Sequence, residues 1–176
     1  VKGNESTCSF TVTVVDDTKP TVVTKDITIQ LDNTGHASIV AADINNGSSD
    51  NCTAAAALDL SIDISSFDCS KVGANTVTLT VTDNNGNVST ATANVTVVDN
   101  TLPVAIAHDV TVTLDATGNG STTATAVDNG SNDACGIRTL ALSKTAFTCA
   151  DITTNPNMVT LTVTDNNGNV STATAN

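Results

Sequence analysis

Val77–Asn94 reads VTLTVTDNNGNVSTATAN, and Val159–Asn176 reads the same 18 letters 82 positions later. Self-similarity at a fixed period constrains a chain more than composition does, because every copy must build the same unit and bury the same apolar face. Other landmarks recur at 83: Pro20 and Pro103, Leu31-Asp32 and Leu114-Asp115, Gly35 and Gly118, Asp50 and Asp133, Cys52 and Cys135. The register slips between the cysteines, with 17 positions from Cys52 to Cys69 and 14 from Cys135 to Cys149; an insertion in 151–157 restores the phase. Gly3–Asp16 aligns with Gly86–Asp99. Three domains are therefore expected. Residues 1–17 supply the C-terminal strand or strands of a preceding repeat, 18–99 form a complete repeat, and 100–176 form a second repeat lacking its last strand. The expectation is a window on a longer array. An alternative is a subunit that lends Cys8–Val15 to the open sheet edge of a neighbour.

Inside the repeat the apolar period is two. Val77, Leu79 and Val81 alternate with Thr78, Thr80 and Thr82; Ala91, Ala93, Val95 and Val97 alternate with Thr90, Thr92, Asn94 and Thr96. Ile27, Ile29 and Leu31 show the same pattern, as do Leu58, Leu60, Ile62 and Ile64. This is the signature of strands with one buried face and one wet face, as in antiparallel sheets. With 33 Thr, 21 Val and a single Glu, the chain is built of strand formers. Asp32-Asn33-Thr34-Gly35, Asn45-Asn46-Gly47-Ser48 and Asn84-Asn85-Gly86-Asn87 supply the turns. The expectation is an all-β chain of small antiparallel β-sandwiches arranged end to end, with no helix required and with Phe67 and Phe147 as bulky core residues.

A formal charge of −12 with only six Lys+Arg gives no electrostatic footprint for nucleic acid, and no apolar run is long enough to insert in a membrane. The five cysteines lack metal-type spacing; two per repeat make Cys52–Cys69 and Cys135–Cys149 the economical disulfides, with Cys8 paired to an upstream Cys outside this chain. Buried free thiols are the alternative. Paired cysteines point to an oxidising, extracellular location. His36 and His108 have no partner at metal spacing, and no Gly-Xaa-Ser-Xaa-Gly elbow is present. The chain reads as a non-enzyme.

One combined pattern runs through nearly the whole chain: Val-Val-Asp-Asp-Thr-Lys-Pro from Val14, Leu-Asp-Xaa-Xaa-Gly, Gly-Ser-Xaa-Asp-Xaa-Cys, Phe-Xaa-Cys, Val-Thr-Asp-Asn-Asn-Gly-Asn, and Cys-Ser-Phe-Thr-Val-Thr-Val from Cys8. It resembles the hyalin-repeat (HYR-like) module, including the tandem repeats of large Bacteroidetes-type cell-surface adhesins. The resemblance implies tandem immunoglobulin-like sandwiches serving in cell adhesion as a stalk or filament, and it names no ligand. The late cysteine at Cys8 is Ala91 and Ala173 in the next copies, so no pairing transfers from the family.

Asp outnumbers Glu 17 to 1, and short carboxylates suit turns and compact calcium loops. Strand parity brings the loop 45–51, the turn 83–87 and the incoming linker to one end of the repeat. A Ca²⁺ ion at each junction is expected, held by Asp17, Asn45, Asp50, Asp83 and Asn85 in one repeat and by Asn100, Asp128, Asp133, Asp165 and Asn167 in the next. The linker Val98–Pro103 also resembles the acidic linkers of cadherins. The expected role is an extracellular adhesin stalk or surface filament whose partners are neighbouring repeats of the same chain or filament. The alternative is a binding module that takes a surface glycan or protein through loops such as Thr53–Ala57.

Overall fold

The computed structural model describes residues 3–154 and 156–176; Val1, Lys2 and Asn155, which fall in the expected first domain and in the 151–157 insertion, lie outside them. The chain is all-β. Its strands are β1 (Ile27–Gln30), β2 (His36–Ser38), β3 (Asp59–Ile62), β4 (Ser66–Asp68), β5 (Gly73–Thr82), β6 (Val88–Val98), β7 (Asn119–Ser121), β8 (Ile137–Leu142), β9 (Ala146–Thr148), β10 (Val159–Asp165) and β11 (Val170–Ala175). Hydrogen bonding orders them β1-β6-β5-β3, β2-β4, β11-β10-β8 and β7-β9.

Two compact units result. The first holds the described part of Val1–Asp26, with Val40–Asp63 and Val77–Ala93; the second holds Ile27–Ile39, Ile64–Thr76 and Asn94–Asn176. Within the first unit β3 runs antiparallel to β5, with Leu60 opposite Val81 and Ile62 opposite Leu79. Val77, Leu79 and Val81 are wholly buried, and the intervening threonines are only half-covered, as their period of two requires. Burial of each such Val or Leu stabilises by about 1.5–3 kcal/mol.

Within the second unit β10 is the centre of a three-stranded antiparallel sheet, with Leu161 opposite both Ala173 of β11 and Leu142 of β8. Val127, Phe147, Val159 and Ala175 form a core packed by Ala107, Val110, Val112, Leu114 and Leu142. Phe67 and Phe147 sit on β4 and β9, 2% and 8% exposed. This unit also contains the pairing of β1 with the last residues of β6, from Ile27 opposite Val95 to Gln30 opposite Val98, and it is parallel. The first and last strands of the repeat run the same way, so the all-β fold is not antiparallel throughout.

Two single-turn helices stand where no helix was expected: α1 (Ala41–Ile44) and α2 (Ala124–Val127). Asp43 Oδ2 accepts the Val40 N–H at 2.7 Å, and Thr123 Oγ1 accepts the Ala126 N–H at 3.2 Å, so each turn is capped from within. Ile44 and Val127 anchor them with no exposure.

The two disulfides expected within the chain do not form. The bond is Cys69–Cys135, in place of Cys52–Cys69 and Cys135–Cys149; Cys8, Cys52 and Cys149 are free and exposed. The reason is where each cysteine sits. Cys69 follows β4 and lies against the turn of Gly35, whose Cα would place a Cβ 2.7 Å from Cys69 Sγ and 3.4 Å from Ala134 Cβ. The loop carrying Cys135 therefore meets the preceding copy's Gly35 turn, and the bond crosses from one sequence copy to the next.

Candidate metal centre

The turn after β5 is fastened by its own first residue. Asp83 Oδ1 accepts the N–H groups of Asn85 and Asn87, each at 2.8 Å, and Oδ2 accepts Asn87 Nδ2 at 2.8 Å. Asn87 Nδ2 also donates to the Asp16 carbonyl at 3.1 Å, which ties the incoming segment to the turn. Asp50 Oδ2 accepts the N–H groups of Cys52 and Thr53, and Thr53 Oγ1 accepts the Asn84 N–H. These bonds bring one carboxylate oxygen each of Asp16, Asp50 and Asp83 within 4.8 Å of one another. Asp83 is 5% exposed.

Two oxygens in this cluster, Asp16 Oδ2 and Asp50 Oδ1, are buried and accept no hydrogen bond. A buried anionic oxygen without a donor is costly unless a cation meets it. Hard oxygen donors at this density fit Ca²⁺, which takes six to eight oxygens, with carbonyls and water completing the set. Burial opposes the charge on Asp83, but the Asn87 side-chain amide and the backbone N–H groups of Asn87, Asn85 and Gly86 outweigh it and hold the carboxyl below its ordinary range. Burial, and then the carboxylates of Asp16, Asp50 and Asp83, push the Cys52 thiol up.

The second copy repeats the scaffold with one change. Asp165 Oδ1 accepts Asn167 N–H and Asn169 N–H, Oδ2 accepts Asn169 Nδ2, and Asn169 Nδ2 donates to the Asp99 carbonyl at 3.1 Å. Asp99 and Asp133 meet Cys135 within 4.8 Å, and Asp99 Oδ2 is buried without a partner. The Cys135 sulfur is tied into the disulfide, so two carboxylates, not three ligands, remain there.

Of the residues expected from the sequence, Asp50 and Asp83 converge, and Asp133 does so in the next copy. Asp17 and Asn100 are exposed; the linker acids that meet the loops are Asp16 and Asp99, one position earlier. Asn45 is spent on its own turn, its Oδ1 accepting Ser48 N–H and Ser48 Oγ. Asp128 likewise accepts Gly130 N–H and Ser131 N–H, and the Ser131 hydroxyl leads the interactions that lower its pKa. Asn85 and Asn167 are exposed and contribute backbone N–H groups to the turns. Asp165 lies outside the Asp99–Asp133 cluster and braces it through Asn169. A signal for the correct linker residue was present: Asp16 and Asp99 are acidic in both copies, whereas Asp17 is replaced by Asn100.

Fold and centre together define an all-β chain assembled from sequence copies, with an acidic cluster where each copy begins. No protein-family model matches the chain, and no curated protein matches it. Among solved structures it is similar to the extracellular cadherin domains 1–4 of protocadherin gamma B7, with a TM-score of 0.42 and 15% identity over 91% of this chain and 50% of that one. It is also similar to the human desmocollin-1 ectodomain, with a TM-score of 0.33 and 14% identity over 92% of this chain and 37% of that one. The chain spans half the length of the first and less of the second. Among the described residues, no helix is long and apolar enough to cross a membrane.

Proposed function

We propose that the chain is a non-enzymatic structural repeat of an extracellular adhesin stalk or cell-surface filament, of the hyalin-repeat type, with Ca²⁺ bound where successive repeats join. The repeat boundaries proposed are 18–99 and 100–176, with residues up to 17 belonging to the repeat before. One observation carries the reading: two buried, donor-less carboxylate oxygens, Asp16 Oδ2 and Asp50 Oδ1, beside Asp83. Asp16 belongs to the incoming segment, and Asp50 and Asp83 to the repeat it enters, so an ion there restricts the hinge between them. The acidic composition opposes close approach of repeats, and bound cations offset it.

Calcium titration followed by circular-dichroism melting tests this. A site that binds only the folded chain raises stability by about 2.7 kcal/mol when free calcium is 100-fold above Kd. Asp50→Asn removes most of that increment and leaves the metal-free melting temperature near that of the parent. Identical melts in calcium and in chelator overturn the calcium reading. The exposed turn Ala55–Ala57, within a stretch the second copy lacks, favours a second reading in which this loop grips a glycan or protein. A glycan array probed with the chain separates the two: capture that Ala55→Asp abolishes moves the assignment to a binding module.

A further inference from the structure

The two acidic clusters differ in their third member. In the first copy it is the carboxylate of Asp83; in the second it is the sulfur of Cys135, within 4.8 Å of one oxygen each of Asp99 and Asp133. The Cys69 sulfur is bonded to it, so two sulfurs and two carboxylates lie together. All four residues belong to the second unit. Asp99 is 6% exposed. Its Oδ1 accepts the Thr101 N–H at 3.0 Å, whereas Oδ2 is buried and accepts no hydrogen bond. A buried anionic oxygen left so, beside a second carboxylate, calls for a cation.

Hydrogen bonds hold these groups independently of the sulfur–sulfur bond. Asp133 Oδ1 accepts the Cys135 N–H at 2.8 Å, and Asn166 Nδ2 donates to the Cys135 carbonyl at 2.7 Å. The Asn166 N–H donates to the Gly136 carbonyl at 3.1 Å, and Asn169 Nδ2 donates to the Asp99 carbonyl at 3.1 Å. The turn between β10 and β11 thus grips both the linker acid and the cysteine loop. On the other side, Asp68 Oδ1 accepts the Ser70 N–H at 2.9 Å and closes the turn that presents Cys69. Gly35 leaves room for both sulfurs: a Cβ there would stand 2.7 Å from Cys69 Sγ and 3.7 Å from Cys135 Sγ.

We infer that Cys69, Cys135, Asp99 and Asp133 form a site for Zn²⁺, or a borderline-soft cation like it, once the disulfide is reduced. The same four side chains are then a covalent bridge in one redox state and a metal centre in the other. Reduction puts two electrons and two protons on the two sulfurs, and two low-mass thiols are oxidised to their disulfide. Zn²⁺ displaces the two thiol protons and takes two thiolates and one oxygen from each carboxylate. That is the four-coordinate tetrahedral set Zn²⁺ prefers, with sulfur at about 2.3 Å and oxygen at about 2.0–2.2 Å. Neighbouring ligand atoms of such a centre stand about 3.3–3.8 Å apart, inside the 4.8 Å that already encloses three of them. Thiolates select this softer ion over Ca²⁺, which takes oxygen. In the disulfide the sulfurs are neutral, so oxidation expels the ion and, by linkage, the ion favours the opened bond. The metal takes over the tie between the Gly35 turn and the loop of Cys135 when the covalent tie is lost. The inference goes beyond the calcium reading and does not need it.

The test uses the whole 176-residue chain carrying Cys8→Ser, Cys52→Ser and Cys149→Ser, which alter the free, exposed thiols and leave the bridge. Co²⁺ is the spectroscopic stand-in for Zn²⁺. The chain reduced with a phosphine and kept under argon is expected to bind a single Co²⁺, with a thiolate charge-transfer band in the near ultraviolet and the visible bands of a tetrahedral centre. Equimolar Zn²⁺ abolishes both, and the oxidised chain shows neither. Asp99→Asn and Asp133→Asn each weaken Co²⁺ binding by about tenfold or more, at least the cost of losing an outer-shell partner. Zinc-edge X-ray absorption of the reduced chain, which needs no change at the carboxylates, resolves two sulfur neighbours with oxygen completing the shell. Asp50→Asn, aimed at the calcium centre, leaves the Co²⁺ spectrum unchanged, so the two readings fail separately. The inference is overturned by a reduced chain without the charge-transfer band, by a zinc shell with any other number of sulfurs, by full affinity in Asp99→Asn/Asp133→Asn, or by equal binding in the oxidised chain.

Discussion

Asp83 shows how a single side chain shapes both a turn and its acid sensitivity. Its folded pKa is lowered by hydrogen bonds that outweigh burial. The stability it contributes is therefore present above the unfolded carboxyl value, about 3.9, and is lost as pH falls through the lower folded value. Asp83→Asn should lower the melting temperature near neutrality and flatten its decline on the acid side, as read by melts across that window. Gly35 makes a second residue-scale prediction. Its φ is +78°, which L side chains rarely adopt, and a Cβ there meets Cys69 Sγ at 2.7 Å. Gly35→Ala should leave Cys69–Cys135 incompletely formed, raising titratable thiols above the three free cysteines. The carboxylates at the joint were legible as a group because Asp so outnumbers Glu. The choice between Asp16 and Asp17 had one signal, the Asn100 that stands for Asp17 in the next copy, but its physical reason, the Asn87 amide that holds the Asp16 carbonyl, shows only in the fold.

Strand alternation decides the elements. Leu79 is buried on β5 opposite Ile62, and Leu79→Ala should cost about 2–5 kcal/mol. Thr92, on the wet face of β6, is exposed, and Thr92→Ala should change stability by no more than about 0.5 kcal/mol. Chemical denaturation of both variants checks the contrast. Period two made β5, β6 and β10 readable, and the alternating Ala91, Ala93, Val95 and Val97 all fall within β6. α1 and α2 were not readable, since four residues are too few to carry a helical period; their caps and the buried anchors Ile44 and Val127 hold them. The parallel pairing of β1 with β6 was equally hidden. Alternation says which face of a strand is buried and nothing about which neighbour it takes or in which direction.

Across the whole molecule the cysteines carry the sharpest difference between sequence and structure. Counting two per repeat favours short loops, but pairing follows proximity in space, and the Gly35 turn lies against the loop of Cys135. In the chain-entropy description a bridge spanning 66 residues is worth about 4 kcal/mol. Cys69→Ser should lower stability by that order, and Cys52→Ser, at a free thiol, should not; parallel melts under oxidising conditions compare them. The same bridge also reroutes mechanical load. When the chain is pulled from its ends, tension passes through the two sulfurs and the intervening backbone stays slack. Roughly 220–240 Å of contour, 66 residues at about 3.3–3.6 Å each, is withheld until a reductant opens the bond. Reductant thus sets how far a stretched chain can yield.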